Sequence, residues 1–229
     1  MTKKTAKKAE KKSATATTTT QAGADIWFLL DRSGSMASIE RDVVRGFDRF
    51  FDEQRKQAGD ATVTIVQFDE AEPHDVVVDA KPLAKVRSIA ERFEPRGMTP
   101  LYDAIGQLLD RAERGNGDAA DQLVVILTDG MENASHIWTQ KKLFKRIGAL
   151  RAAGWTFVFL GANQDSYEAG AGLSMADGNV SNFRPDAAGT AAAYAGLSRT
   201  VSEWRGKPRE DRRRDVDDFW AGQKEAEEV

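Results

Sequence analysis

Apolar residues in this chain fall into short continuous runs and into sets with helical spacing. DIWFLLD (residues 25–31), DQLVVILTDG (121–130) and GWTFVFLGA (154–162) are nearly continuous apolar runs of strand length. Such runs are typical of strands buried on both faces of a parallel sheet. ATVTIVQFD (61–69) and HDVVVDA (74–80) are rich in β-branched residues and close in sequence. The pattern predicts that these two segments pair as an antiparallel hairpin.

Helical spacing separates the strand-like runs. Residues 36–57 place apolar side chains three and four positions apart, and the segment TPLYDAIGQLLDRAER (99–114) does the same, with Pro100 at a plausible first helical position. TQKKLFKRIGALRAAG (139–154) is a third predicted helix, closed by Gly154. Alternating strands and helices predict an α/β, Rossmann-like, doubly wound sheet. The sheet is mostly parallel, has one antiparallel edge strand and carries helices on both faces.

The last third of the chain continues this alternation. NVSNF (179–183) reads as a short strand, and a final helix is predicted from about residue 185 to residue 204. The stretch offers no additional catalytic group.

Composition narrows the class of protein. The chain has 229 residues, of which 41% are hydrophobic and 30% charged, as expected for one globular domain with tails. It contains no cysteine, which excludes disulfides, thiolate catalysis and cysteine-bound zinc or iron–sulfur centres. No apolar run approaches the roughly 18 to 20 residues that span a bilayer, and the N-terminus lacks the apolar stretch of a secretory signal. We expect a cytoplasmic protein with no membrane span.

Charge divides the chain into three parts. Residues 1–24 hold six lysines and one glutamate, a net charge of +5, so the total of −3 leaves −8 for the remainder. This Lys/Thr/Ala-rich segment is a predicted disordered tail, either merely solubilising or able to contact nucleic acid or an acidic membrane surface. The predicted domain spans 25–204. Residues 205–229 are predicted to be a charged C-terminal tail with an aromatic anchor at Phe219 and Trp220.

Side-chain oxygens cluster at the predicted carboxyl ends of the strands. In open α/β sheets ligands bind at that edge. Three separated segments would bring together five oxygen donors and no nitrogen or sulfur donor: Asp31, Ser33, Ser35, Thr99 and Asp129. Such a set favours a hard cation such as Mg²⁺, Mn²⁺ or Ca²⁺. On its own, DRSGSM (31–36) would more often be a loop with a helix cap than a metal site, because Asp and Ser cap helices for local reasons.

Three motifs together resemble the von Willebrand factor type A (VWA) domain. DRSGSM matches the Asp-x-Ser-x-Ser signature of that family, GMTPLYDAI (97–105) is similar to its threonine loop, and LTDGMEN (127–133) is similar to its later aspartate loop. Order and spacing agree, and the resemblance covers roughly residues 25–204. It is closest to the bacterial intracellular type, and it implies a six-stranded sheet and an intact metal-ion-dependent adhesion site (MIDAS).

The resemblance also implies roles for individual residues. Ser33 and Ser35 would be inner ligands, Thr99 and Asp129 would bind directly or through water, and Asp31 would orient and charge the site. Residues of the same loops would form a partner-binding rim: Arg32, Met36, Met98, Gly130 and Trp138. Two of these have alternatives, because Arg32 could be a solvated loop charge and Trp138 could pack at the start of a helix.

The implied function is metal-dependent binding of a protein partner, not catalysis. The held cation, Mg²⁺ or alternatively Mn²⁺ or Ca²⁺, would capture an acidic residue of the partner. One alternative is a metal-assisted hydrolase, although hydrolysis usually needs a general base and often a second metal. Another is a nucleic-acid-associated protein that binds weakly through the basic N-terminal tail.

Overall fold

The structure is a computed structural model that describes residues 23–57, 59–115, 120–162 and 166–220. The predictions for the lysine-rich segment before residue 23 and for residues 221–229 lie outside these described residues. Within the described ranges, no helix is both long and apolar enough to cross a membrane.

The described residues form a single sheet with helices between its strands. The strands are β1 (Ala24–Asp31), β2 (Ala61–Phe68), β3 (Asp75–Pro82), β4 (Asp121–Thr128), β5 (Thr156–Gly161) and β6 (Val180–Asn182). The helices are α1 (Glu40–Gln54), α2 (Leu101–Arg114), α3 (Gln140–Ala152), α4 (Ser166–Gly172), α5 (Ala187–Gly206) and α6 (Arg209–Arg214). Short 3₁₀ turns occur at Gly34–Ser38, Leu83–Lys85 and Asp177–Asn179.

The sheet has the topology that the sequence predicted. Its strand order is β3-β2-β1-β4-β5-β6. The β2–β3 pair is antiparallel, and every other neighbouring pair is parallel. This confirms a Rossmann-like, doubly wound, six-stranded sheet with one antiparallel edge strand.

Strand β1 shows why the central runs are continuously apolar. Its residues Ile26, Phe28 and Leu30 face the core under α1 and α5, whereas Trp27 and Leu29 face the core under α2 and α3. Because side chains alternate between the two faces of a strand and both faces are covered, no polar position is left in the middle of the run.

The core under α1 is rich in aromatic side chains. Phe28 meets Phe47 and Phe50 edge-on, with ring centroids 5.2 and 5.3 Å apart. Such pairs add roughly 0.5–1.5 kcal/mol beyond the burial of their area. The aromatic cluster therefore anchors α1, and with it the loop that connects β1 to α1.

Helix boundaries follow local chemistry closely. Gly154 has φ +92°, a conformation that glycine adopts without strain. Its N–H donates to the carbonyl of Arg151 at 2.9 Å and ends α3 as predicted. Helix α2 begins at Leu101, and Pro100 is the residue that precedes it, not the first helical residue.

The packed structure continues past residue 204, where the sequence placed the end of the domain. Phe219 and Trp220 are 5% and 4% exposed and belong to the core under α1 and α5. Arg212 is buried and pairs with buried Asp121 at 3.0 Å, with its guanidinium over the Trp204 ring. The prediction that a charged tail begins at 205 is wrong for residues 205–220, because both aromatics and one arginine are buried there.

Candidate metal centre

The predicted strand-end residues lie at the centre of the sheet's carboxyl edge. Asp31 ends β1 and Asp129 directly follows β4. The two strands are neighbours, with Leu30 opposite Leu127. The chain leaves β1 and β4 toward opposite sides of the sheet, so a crevice opens between their connections.

A short chain of hydrogen bonds begins in the loop after β1 and ends at Asp129, in the loop after β4. The Ser33 N–H donates to Asp31 Oδ1 at 2.7 Å. The hydroxyls of Ser33 and Ser35 are 3.1 Å apart, and Ser35 Oγ donates to Asp129 Oδ1 at 2.6 Å. Although Ser33 precedes the Gly34–Ser38 turn, its side chain makes no capping hydrogen bond. A helix cap therefore does not account for this serine.

Thr99 reaches the same point from the long connection before α2. A Cβ built on Gly130 would lie 2.9 Å from Thr99 Oγ1 and 3.6 Å from both Asp31 Oδ2 and Ser35 Oγ. Oxygens of two separated segments, residues 31–35 and Thr99, therefore border one small space next to Gly130 that a single methyl group would fill. Gly130 keeps that space open.

Burial makes the two carboxylates costly to ionise. Desolvation raises the pKa of Asp31 to about 6, against opposing hydrogen bonds from Thr128 and Ser33. Desolvation also raises the pKa of Asp129, opposed by the hydrogen bond from Ser35. A divalent cation would offset this cost, because an opposite charge at the site favours the ionised form.

The donor set fits a hard cation. Among the described residues there is no group of three or more His, Cys, Asp or Glu side chains placed to hold a metal. The cluster instead combines two carboxylates with three hydroxyls, and oxygen ligands of this kind suit Mg²⁺, Mn²⁺ or Ca²⁺. Such a set would leave coordination positions for water or for another ligand.

Two further residues, Thr128 and Asn133, position the predicted ligands, and sequence reasoning did not assign them roles. Thr128 Oγ1 donates to Asp31 Oδ2 at 2.6 Å. Asn133 Oδ1 accepts from the Thr99 N–H at 2.8 Å, and the Asn133 N–H returns a bond to the Thr99 carbonyl at 3.1 Å. Thr128 and Asn133 both lie in LTDGMEN, so the motif that identified Asp129 also contains these two positioning residues.

Glu132 ties the aspartate loop to α2. Its carboxylate accepts from the N–H groups of Tyr102, Ala134 and Ser135 at 2.8–3.0 Å and from the Ser135 hydroxyl at 2.7 Å. The threonine and aspartate loops are thereby fixed to one another before any ion binds.

Trp138 was predicted to border the binding face, and this prediction is wrong. Its ring packs against Gly106 of α2, where an added Cβ would lie 2.3 Å from the indole. Arg146 lies over the same ring at 5.0 Å. Asp103 accepts from the N–H of Trp138 at 2.6 Å, so the residue packs at the start of α3. The alternative of a packing role was correct.

Arg32 does not lie beside the opening as an exposed charge, as the sequence suggested. It is 5% exposed, and its N–H continues the β1–β2 pairing by donating to the Phe68 carbonyl. This directs the guanidinium to the β2–β3 turn, where it pairs with Asp69 and Asp75 at 2.8 and 3.0 Å. Arg32 is a buried ion-pair residue, so neither the rim nor the solvated-charge alternative holds.

The three remaining residues predicted for the rim differ in their positions. Met36 is 1% exposed, because the turn after Ser35 directs it into the core under α1, so its prediction as a rim residue is wrong. Met98 is 44% exposed next to Thr99. Gly130 adjoins the site oxygens, as described above.

Comparisons with known proteins agree with this architecture. A family model described as the von Willebrand factor type A domain matches residues 26–132. A comparison with curated protein sequences found no match.

Solved structures with the same fold include a pilus tip protein, a pilus adhesin and a matrix protein. The vWF domain of the type V pili tip protein Mfa5 from Porphyromonas gingivalis is 12% identical, with a TM-score of 0.58 over 80% of this chain and 96% of that one. The pilus adhesin SpaC from Lactobacillus rhamnosus GG is 14% identical, with a TM-score of 0.59 over 79% of this chain and 30% of that one.

Proximal thread matrix protein 1 (PTMP1) from the mussel byssus is 20% identical, with a TM-score of 0.53 over 76% of this chain and 47% of that one. The chain thus spans nearly all of the Mfa5 domain but less than half of PTMP1 and SpaC. At these identities the likeness establishes the fold. The chain is thus similar in sequence to the von Willebrand factor type A family over residues 26–132, and it shares the fold of these solved structures.

Proposed function

We propose that this domain binds a protein partner through a divalent cation. Mg²⁺ is the expected ion, and Mn²⁺ or Ca²⁺ would suit the same donors. The ion would be held by the five side chains of the site: Asp31, Ser33, Ser35, Thr99 and Asp129. When bound, it supplies a positive centre for a carboxylate of the partner. We further propose a bacterial intracellular type of domain acting in the cytoplasm, which the cysteine-free composition supports.

One observation carries the proposal: oxygens of Asp31, Ser35 and Thr99, from two segments far apart in the chain, border a space that a Cβ at position 130 would fill. The carboxylates beside it, Asp31 and Asp129, are partly or fully buried, and burial raises the pKa of each. Ionised carboxylates are costly to bury, and buried charges in proteins are normally paired or coordinate metals. A bound cation accounts for both features.

Similar structures support a metal at this place. A second PTMP1 structure, 20% identical with a TM-score of 0.52, has a zinc-occupied MIDAS motif. Mfa5 and SpaC are a pilus tip protein and a pilus adhesin. Proteins that share this fold thus hold a divalent ion and serve in adhesion, which favours a binding module here.

Hydrolysis is the less favoured function because the two carboxylates are already engaged. Asp31 accepts from the Ser33 N–H and from Thr128, one bond on each oxygen. Asp129 accepts from Ser35. A general base must be free to take a proton from water. These carboxylates are instead arranged to orient hydroxyls.

Affinity purification with the tagged chain tests the function. Wild type, Asp129→Asn and the control Asp60→Asn, an exposed carboxylate that precedes β2, are compared in Mg²⁺ and in EDTA. Wild type and Asp60→Asn should retain partners in Mg²⁺ but not in EDTA. A purified partner should lose binding when one of its own acidic residues is changed to the corresponding amide. Retention that survives both EDTA and Asp129→Asn would contradict the proposal.

A further inference from the structure

A cavity of about 350 Å³ adjoins the candidate metal centre. Thr128 and Gly130 belong to its wall, and both also contact or adjoin the site oxygens. Much of the remaining wall is apolar and comes from α2, β5, α4 and the residue that follows α4: Leu101, Phe159, Ala169 and Leu173. A ligand held at the ion could therefore extend directly into an apolar space.

Exposed apolar side chains occur in segments that line the cavity or adjoin its lining residues in the chain. Met131 lines the cavity and is 66% exposed. Ile137, in the loop that leads to α3, is 65% exposed, and Tyr167 on α4 is 38% exposed. Exposed large apolar side chains in neighbouring segments are typical of an interaction surface, in contrast to single scattered ones.

Helix α3 gives the same region a positive charge. The sequence contains no aspartate or glutamate between residues 133 and 162, although the body of the chain is acidic. Lys141, Lys142 and Lys145 are exposed on α3, directly after Gln140, which lines the cavity. Within the described part of the chain none of these three lysines forms an ion pair, whereas Arg146 pairs with Asp110 at 2.8 Å.

We propose that the cavity and the α3 lysines select an acidic peptide segment of the partner protein. The inference rests on the proposed function: a glutamate or aspartate of the segment binds the ion, and a large apolar side chain nearby in the segment fills the cavity. Further acidic residues of the segment lie along Lys141, Lys142 and Lys145. The local positive charge offsets the repulsion that the acidic body of the chain would exert on such a partner.

A peptide fits this surface better than a nucleic acid. Glu168 is exposed and lines the cavity, and it would repel a phosphate backbone that crosses there. A peptide can place acidic residues at the ion and at α3, and an apolar residue between them. The surface has one apolar site, the cavity, and two positive sites, the proposed ion and the α3 lysines. A peptide can present a different side chain to each of them.

Peptide arrays with a fixed central glutamate and randomised flanking positions test the inference on the full chain. Binding is read in Mg²⁺ and in EDTA. Mg²⁺-dependent binders should be enriched in a large apolar residue at one position near the glutamate and in acidic residues farther along. If no peptide binds in a Mg²⁺-dependent way, the proposed function and this inference both fail. If Mg²⁺-dependent binders show neither preference, this inference alone is overturned.

Two variants assign the preferences to their residues. The affinity for the best acidic peptide should fall about tenfold at low salt in the triple variant Lys141→Gln/Lys142→Gln/Lys145→Gln. The loss of affinity should be smaller at high salt. The matched control changes three exposed lysines at the other end of the sheet to glutamine: Lys56, Lys81 and Lys85. It should bind like wild type. Equal losses in both triple variants would overturn the role of α3.

Ala169→Phe, which fills the cavity, should remove the preference for an apolar residue. The same array read with this variant therefore reports on the cavity independently of the lysines. An unchanged apolar preference in a folded Ala169→Phe protein would place that contact elsewhere and overturn the role of the cavity.

Discussion

At the scale of single residues, the candidate site requires glycine at position 130, because a side chain there would enter the space between the oxygens. A methyl group there would lie 2.9 Å from Thr99 Oγ1, within the space that the oxygens of Asp31 and Ser35 share. Such a contact is too close for carbon and oxygen, so the hydroxyl or the loop must move. The glycine is therefore part of the proposed ion-binding geometry, although it would donate no ligand.

Gly130→Ala should weaken Mg²⁺ binding by about tenfold or more, because a displacement of even one ligand disturbs the near-octahedral geometry that Mg²⁺ demands. Calorimetric titration measures the affinity. Gly206→Ala is the matched control, because an added Cβ there meets nothing within 4 Å. Unchanged affinity in Gly130→Ala would show that the ion, if bound, lies away from this space.

The pH dependence of ion binding follows from Asp31. Burial raises the pKa of this carboxyl to about 6 in the ion-free protein. Below that pH a proton must leave before the ionised site forms, so the apparent dissociation constant should rise by up to about tenfold per pH unit. It should level off above pH 7. Titrations between pH 5 and pH 8 that give one constant affinity would contradict this assignment.

At the scale of elements, an ion-pair cluster around buried Asp69 joins two of the site loops to the β2–β3 turn. Asp69 is fully buried and pairs with Arg32 at 2.8 Å and with Arg96 at 2.9 Å. The Arg96 N–H also donates to the Arg32 carbonyl at 2.8 Å, and the Gly34 N–H donates to Gly97 at 3.0 Å. The loop after β1 and the loop before α2 are thus held together from below the site.

Arg32→Met should lower the free energy of unfolding by about 3–5 kcal/mol, because it leaves Asp69 buried without its closest partner. It should also weaken ion binding, since the loop after β1 loses its anchor. Arg45→Met, at a side chain that is 78% exposed, should change stability by less than about 0.5 kcal/mol. Denaturant melts compare the two. Equal stability would contradict the structural role of Arg32.

The sequence predicts the elements better than the directions of individual side chains. Strand runs and helical spacing depend on local patterns, and they gave the sheet, the hairpin and the end of α3. The burial of Arg32 and Met36 depends on partners far along the chain, such as Asp69 and the core under α1. Local patterning carries no information on such partners, so both were assigned to the rim.

At the scale of the whole molecule, the packed domain includes the segment that follows α5. The Trp220 N–H donates to the Gly178 carbonyl at 2.9 Å, and the Phe219 N–H donates to the Asn179 side chain at 2.9 Å. Charge of both signs dominates residues 205–218, which is why the sequence read as a tail. The two buried aromatic residues at its end nevertheless hold this charged segment against the domain.

Trp220→Ala should therefore destabilise the protein by about 3–5 kcal/mol, the usual cost of removing a buried aromatic side chain. Phe144→Ala, at an aromatic that is 48% exposed on α3, should cost much less. Thermal and urea melts measure both. A Trp220→Ala protein as stable as wild type would show that this segment is not part of the fold in solution.

The most direct test of the account is a Mn²⁺ titration in which electron paramagnetic resonance measures the free ion. Wild type and Asp60→Asn should each bind one ion per chain, displaced by Mg²⁺, and Asp129→Asn should bind at least about tenfold more weakly because it removes one of two ligand charges. Wild type that binds no ion, or Asp129→Asn that binds as wild type does, would contradict a metal centre formed by Asp31, Ser33, Ser35, Thr99 and Asp129.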